Sequence, residues 1–178
     1  CIATGRDYNA GGARYNNTSI QAVGIGSLAD SLSALKDVVF EKGLVRLDGL
    51  VAALDSNFQD QEILRQRLLN KTHKYGNDDD YVDDLMLRAF QFLFGAIDGR
   101  PNGKGGAYRL EMLPTTCHVY FGEVCLASAD GRRRGEPLSE GISPVQGADR
   151  AGPTAVLKSA GKMDHIKTGG TLLNLKFT

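Results

Sequence analysis

The chain has 178 residues, with 21 basic and 21 acidic side chains, a formal net charge of zero and 42% hydrophobic residues. That length suits one domain with a sizeable core, and the charge balance removes the electrostatic footprint expected of a nucleic-acid or anionic-membrane binder. No apolar run approaches the roughly 18 residues needed to span a bilayer.

Three cysteines, Cys1, Cys117 and Cys125, are too few and too oddly spaced for a disulfide framework or a zinc site. We therefore expect reduced thiols, a cytoplasmic location, no bound metal, and neither nucleic acid nor membrane as partner. The chain opens on Cys-Ile-Ala-Thr and stops at Thr178 inside a strand-like run, so it reads as a piece of something longer.

Residues 1–13 are rich in small residues and read as a loop, followed by a short strand from Tyr15 to Val23. Gly24-Ile-Gly26 opens a helix to about Glu41, with Leu28, Leu32, Leu35, Val38 and Val39 on one face. This strand, glycine turn and helix has two readings: part of a dinucleotide-binding fingerprint, or a tight turn with glycine at left-handed positions. The second is preferred, because Gly43 to Asp48 gives only a weak second strand.

Asp48 is placed to cap a short helix through Leu54, and Asp60 a second one carrying Ile63, Leu64, Leu68 and Leu69. A long helix to about Ile97 follows, its first turn carrying the acids of Asp78-Asp-Asp-Tyr-Val-Asp-Asp84, which complement the helix dipole. A metal site there lacks calcium-loop spacing. Gly99-Arg-Pro-Asn-Gly-Lys-Gly-Gly106 departs from a phosphate loop in its spacing and in having Gly105 where a hydroxyl is needed, so it reads as a flexible turn.

Tyr108 to Met112 leads into Pro114-Thr-Thr-Cys-His-Val-Tyr-Phe-Gly122, which reads as a strand. Period-two alternation sets Thr116, His118 and Tyr120 on one face and Cys117, Val119 and Phe121 on the other. A polar, uncharged strand face is costly to bury unless paired, so it is a candidate cavity wall. Residues 129–152 show no periodicity; a structureless stretch of this length is usually functional or packed against other parts of a protein. Arg132-Arg133-Arg134 within it reads as a solvated or ion-paired turn rather than an anion site. Pro153 suits the first residue of a helix through Ala160, and residues 171–177 look like a strand.

Six stretches occur in order: Gly11-Gly-Ala-Arg-Tyr-Asn16, Gly24-Ile-Gly26 with Asp30-Ser-Leu32, Lys74-Tyr-Gly-Asn-Asp-Asp-Asp80, Leu113 to Gly122, Pro137-Leu-Ser-Glu-Gly-Ile-Ser-Pro144, and Lys162-Met-Asp-His-Ile-Lys-Thr-Gly-Gly-Thr-Leu-Leu173. Together they resemble the glycyl radical enzymes, the pyruvate formate-lyase-like family. Within it they resemble the dehydratase branch that includes B12-independent glycerol dehydratase and trans-4-hydroxyproline dehydratase.

The resemblance covers essentially the whole chain and implies an α/β fold, part of a ten-stranded α/β barrel, with residues 1–178 forming a single segment of late strands and helices of the second half-barrel. It implies a parent enzyme, a dehydratase or lyase cleaving a C–O bond of a small hydroxylated substrate by radical chemistry. Formate C-acetyltransferase activity of the parent and a non-catalytic structural module are the alternatives. It further implies a glycyl radical installed by a radical-SAM activating enzyme, no cofactor bound by this segment, and a homodimer.

The family's Cys-x-Glu context is found at none of the three cysteines, and none of the 22 glycines lies in Arg-Val-x-Gly-Tyr. The catalytic cysteine loop and the glycyl radical domain are thus expected upstream and downstream, and no residue here is assigned a catalytic role. Thr116, Tyr120 and His118 are the expected substrate contacts.

Overall fold

The computed structural model describes residues 1–113 and 115–176. The core of the fold is a parallel pair: β1 (Thr18–Gln21) beside β2 (Tyr108–Glu111), in the register Thr18 to Tyr108 through Gln21 to Glu111. Parallel neighbours need a long crossover. Here it consists of α1 (Ile25–Ala34), α2 (Leu47–Asp55), α3 (Glu62–Asn70) and α4 (Asp80–Ile97). Beyond β2 the chain continues into α5 (Cys117–Val124) and α6 (Pro153–Gly161).

The other edge of β2 is occupied as well. Gly169 donates to the Leu110 carbonyl at 2.9 Å, Met112 to Gly170 at 2.8 Å, and Met112 bridges Thr171 in parallel. Residues 171–177 were expected as a strand; the structure shows a single bridge at Thr171, and residue 177 lies outside the described residues.

Two apolar clusters form the core. One joins Ile25 and Ala29 of α1, Val82, Met86 and Phe90 of α4, Leu110 and Met112, with Ile142, Ala160 and Met163 from the C-terminal part. The other gathers Ala34, Val38, Leu50, Ala53, Phe58 and Leu68 under α2 and α3. Burying a side chain of this size contributes about 1.5–3 kcal/mol, so the first cluster fastens the C-terminal third onto the β1–β2 unit.

The helix expected from Gly26 to Glu41 divides into α1 and a π-helical stretch, Leu35–Glu41. Gly24 caps α1 with φ 80°, the left-handed turn the sequence asked of it. A Cβ at Gly26 would crowd Ser143 O and the Ser139 side chain, so this glycine serves close chain approach. The α1 N-terminus is already covered by protein: the Ser27 amide donates to Ser139 Oγ at 3.0 Å, and the Ser139 amide to Ser27 Oγ at 2.9 Å. No strand forms among residues 43–48.

The largest correction concerns residues 114–122. Instead of a strand, Cys117–Val124 is helical, and residue 114 lies outside the described residues. The reason is tertiary: β2 is paired on both edges, so an extended 114–122 run has no place beside it. Thr115, at φ 51°, turns the chain before the helix. Gly122 then lets α5 press against residues 136–137, where a Cβ would overlap the Glu136 carbonyl. Val, Tyr and Phe favour strands only where a pleated surface exists to receive them.

Candidate functional site

Between α3 and α4 lies the turn Lys74-Tyr-Gly-Asn77, which grips the loop of residues 129–152 at successive points. Lys74 Nζ donates to the Asp130 carbonyl at 3.0 Å. Tyr75, fully buried, donates its hydroxyl to the Ile142 carbonyl at 3.0 Å. Gly76, at φ 92°, lies against Pro144 so closely that a Cβ would overlap the ring. Asn77 donates to the Ala148 carbonyl at 2.9 Å and accepts from the Arg150 and Ala151 amides at 2.7 and 2.9 Å. Four consecutive residues thus hold the loop in sequence order, and its lack of periodicity reflects packing against the body.

The loop and the turn wall a cavity of about 1090 Å³, whose lining includes Asp30, Lys74, His118, Ser139, Ser143 and Asn174. Asp30, on α1, is 1% exposed; its Oδ1 accepts from the Tyr75 amide at 2.8 Å, while Oδ2 has no hydrogen-bond partner and lies 3.8 Å from Lys74 Nζ. Burial pushes its carboxyl up to about 7, against the opposing pull of Lys74 and the Tyr75 amide. Burial likewise raises the Tyr75 hydroxyl, with the Asp83 and Asp30 charges adding to the shift.

A second polar cluster joins α4 to α6. Asp79 caps α4 by accepting from the Tyr81 amide at 3.0 Å. One turn on, the buried Asp83 takes Ser159 Oγ at 2.9 Å and Lys162 Nζ at 2.7 Å on Oδ2, leaving Oδ1 unpaired. Burial raises Asp83 despite these bonds. Burial opposes charge on Lys162, but its bonds to Asp80 and Asp83 outweigh that and raise it. Among the described residues no group of three or more His, Cys, Asp or Glu is placed to hold a metal ion.

The three expected substrate contacts are not brought together. On a helix successive residues turn by about 100°, so the shared face of a strand is lost. His118 lines the cavity, its Nδ1 3.2 Å from the Thr115 carbonyl. Tyr120 is 64% exposed and Thr116 is exposed at the helix start, and neither lines that cavity. Tyr120 instead shares a stripe with Cys117, Phe121 and Val124, spaced as one helix face.

The arginine run is also resolved. Arg132 is buried and donates to the carbonyls of Leu126, Glu136 and Arg133, while Arg133 pairs with Glu62 at 2.8 Å. In the glycine-rich turn, Asn102 Oδ1 accepts from the Lys104 and Gly106 amides, both at 2.9 Å. The turn, expected to be flexible, is pinned by a side chain.

Sequence reasoning missed Asp30, Lys74, Tyr75 and Asn77 as a connected group. The signal was there, since both stretches that carry them stood out as motifs, but the pattern alone does not show that they meet.

Residues 1–122 match the family model described as "Pyruvate formate lyase-like", and residues 138–178 match the one described as "Glycine radical". The chain belongs to the pyruvate formate lyase-like family. It is 56% identical over 99% of its length to trans-4-hydroxy-L-proline dehydratase of Clostridioides difficile, and 38% identical to (2S)-3-sulfopropanediol dehydratase of Klebsiella oxytoca. In each case it spans about a fifth of the relative, 22%.

A crystal structure of the C. difficile hydroxyproline dehydratase with trans-4-hydroxy-L-proline bound superposes with a TM-score of 0.92, covering 98% of this chain and 22% of that one. The glycerol-bound B12-independent glycerol dehydratase of Clostridium butyricum gives 0.91 at 36% identity, with the same coverage. The chain therefore has the fold of a segment of the α/β barrel of glycyl radical enzymes. The match to the second family model begins within the loop held by residues 74–77.

Proposed function

We propose that this chain is the substrate-cavity and scaffold segment of a glycyl radical dehydratase, one that removes water from a small hydroxylated substrate. The observation that carries this reading is the 56% identity to trans-4-hydroxy-L-proline dehydratase, sustained over 99% of the chain. That amino acid is the first substrate to test, ahead of glycerol and sulfopropanediol.

The parent would carry a glycyl radical installed by a radical-SAM activating enzyme, with the reacting cysteine and glycine supplied by the rest of the polypeptide. Residues 1–178 would act as one structural segment, and a homodimer in the cytoplasm is the working assembly. What the segment contributes is positioning and exclusion of water, which a reactive radical intermediate requires. Thr116 and Tyr120 retain hydroxyls able to donate and accept hydrogen bonds to a hydroxy amino acid, and His118 a ring nitrogen on the cavity side of α5.

The test is the full-length protein carrying this segment, activated anaerobically. A glycyl radical spectrum with turnover of trans-4-hydroxy-L-proline supports the reading, and a radical without turnover of any of the three candidates overturns the dehydratase assignment. Tyr120→Phe and Thr116→Val test the contacts separately: at least a tenfold loss in kcat/KM in either supports that residue's role, and unchanged kinetics in both sinks the pair.

A further inference from the structure

The β1–β2 pair is covered by helices on one face only. Leu110 and Met112 pack into the cluster under α1 and α4, so period-two alternation sets Arg109 and Glu111, with their register partners Ser19 and Gln21, on the opposite face. In an α/β barrel the helices form the outer ring, the uncovered sheet face looks into the barrel, and ligands sit at the carboxyl ends of the strands. Gln21 and Glu111 are the last residues of β1 and β2.

The Glu111 carboxylate is held in place there. Ser19 Oγ donates to Oε1 at 2.5 Å and Gln21 Nε2 to Oε2 at 3.4 Å, so neutral donors orient both oxygens. On the other edge of β2, Gly169 leaves the room that the side chain occupies: a Cβ there would stand 2.9 Å from Glu111 Cγ and 3.0 Å from Oε1. Among the described residues no basic side chain pairs with this carboxylate, and Arg109 on the same face pairs with Asp98 at 3.2 Å. A carboxylate oriented by two donors and left without a cation is an acceptor for one.

We propose that Glu111 is a specificity-determining residue of the barrel interior, accepting the ring ammonium hydrogens of trans-4-hydroxy-L-proline. This rests on the dehydratase reading above. Of the three candidate substrates only that amino acid carries a cation; glycerol is neutral, and sulfopropanediol bears a sulfonate that the carboxylate repels. Glu111 thus favours one substrate by attraction and disfavours another by repulsion.

Ligand binding to the unactivated full-length protein, read by titration calorimetry, tests it without turnover. Glu111→Gln keeps the shape and removes the charge, so affinity for trans-4-hydroxy-L-proline is expected to fall at least about tenfold. Affinity for its carbocyclic analogue hydroxycyclopentane carboxylate, in which a methylene replaces the nitrogen, should stay the same or rise. Gly169→Ala, which pushes the Glu111 side chain aside, should show the same selective loss and serves if Glu111→Gln does not fold. Equal weakening of both ligands overturns the proposal. So does unchanged hydroxyproline affinity, which with a lowered unfolding midpoint would give the carboxylate to a basic side chain elsewhere in the polypeptide. Glycerol turnover without hydroxyproline binding overturns the proposal and leaves the dehydratase reading standing. Selective loss of binding, in a protein whose radical turns over none of the three candidates, does the reverse.

Discussion

Asn77 Oδ1 accepts the Arg150 amide hydrogen at 2.7 Å, joining the turn before α4 to the end of a loop 73 positions away. The same oxygen takes the Ala151 amide, and the side-chain nitrogen serves the Ala148 and Lys74 carbonyls. One carboxamide thus uses its whole hydrogen-bonding capacity to fix a stretch that has no secondary structure of its own.

Asn77→Ala should cost about 1–2 kcal/mol, because the Lys74 and Ala148 carbonyls lose their donor in a part-buried site, while the exposed Arg150 and Ala151 amides turn to water. Asn77→Asp keeps the acceptor and loses only the donor, so it should fall between the two. Thermal unfolding reads the cost. Exchange of the Arg150 and Ala151 amides should accelerate first; acceleration spread evenly over the chain would contradict the local assignment.

Gly76 provides a sharper contrast. It has φ 92°, and a Cβ there would overlap Pro144, whereas Gly105 has φ 79° with open space around it. Gly105→Ala should cost only the left-handed strain of about 1–2 kcal/mol. Gly76→Ala adds a clash against a rigid ring and should exceed it by at least about 1 kcal/mol, or unseat the loop. Equal losses in the two variants, measured by denaturant midpoint at constant m, would count against the packing of Pro144 onto the turn.

How much of this was legible in the sequence depends on what set each element. α4 and α6 announce themselves through apolar spacing, acids at one N-terminus and Pro153 at the first position of the other, and both appear where those signals lie. Residues 117–124 did not, because an alternating run of eight or nine residues is compatible with a strand or a short helix. The decision rested on whether β2 had a free edge, which is set by residues 169–172, far away in sequence. The candidate site shows the same division: Lys74 to Asn77 are conspicuous as a motif, yet their partners at 130, 142, 144 and 148–151 follow no period. Within the arginine run, read as a solvated or ion-paired turn, Arg133 is ion-paired with Glu62, whereas Arg132 is a buried tie to carbonyls.

Arg132 therefore yields a third prediction. Its planar guanidinium spans the Leu126, Arg133 and Glu136 carbonyls while Nε reaches Ser128 Oγ at 3.1 Å. A lysine ammonium keeps the charge but cannot span that set. Arg132→Lys should cost roughly 2 kcal/mol through unsatisfied buried carbonyls, with faster exchange in residues 126–136. A neutral outcome would mean that the charge alone holds the turn.

The Asp83–Lys162 contact between α4 and α6 gives a pH dependence whose sign can be worked out. Burial raises the Asp83 carboxyl, so between its ordinary value near 3.8 and its higher folded value the folded protein holds a proton that the unfolded chain has released. Stability contributed by this group is accordingly full in acid and declines as pH rises through that window. Lys162 is raised, so its contribution persists until strongly alkaline pH and then disappears. Lys162→Met removes the cation from a buried carboxylate whose Oδ1 is already unpaired. The loss should be about 3 kcal/mol at pH 8 and smaller at pH 5, where more of Asp83 is neutral. Asp83→Asn combined with Lys162→Met should recover part of the stability lost in Lys162→Met, because no buried charge remains. Urea unfolding at the two pH values measures each cost, and a Lys162→Met penalty that grows toward acid would reverse the assignment.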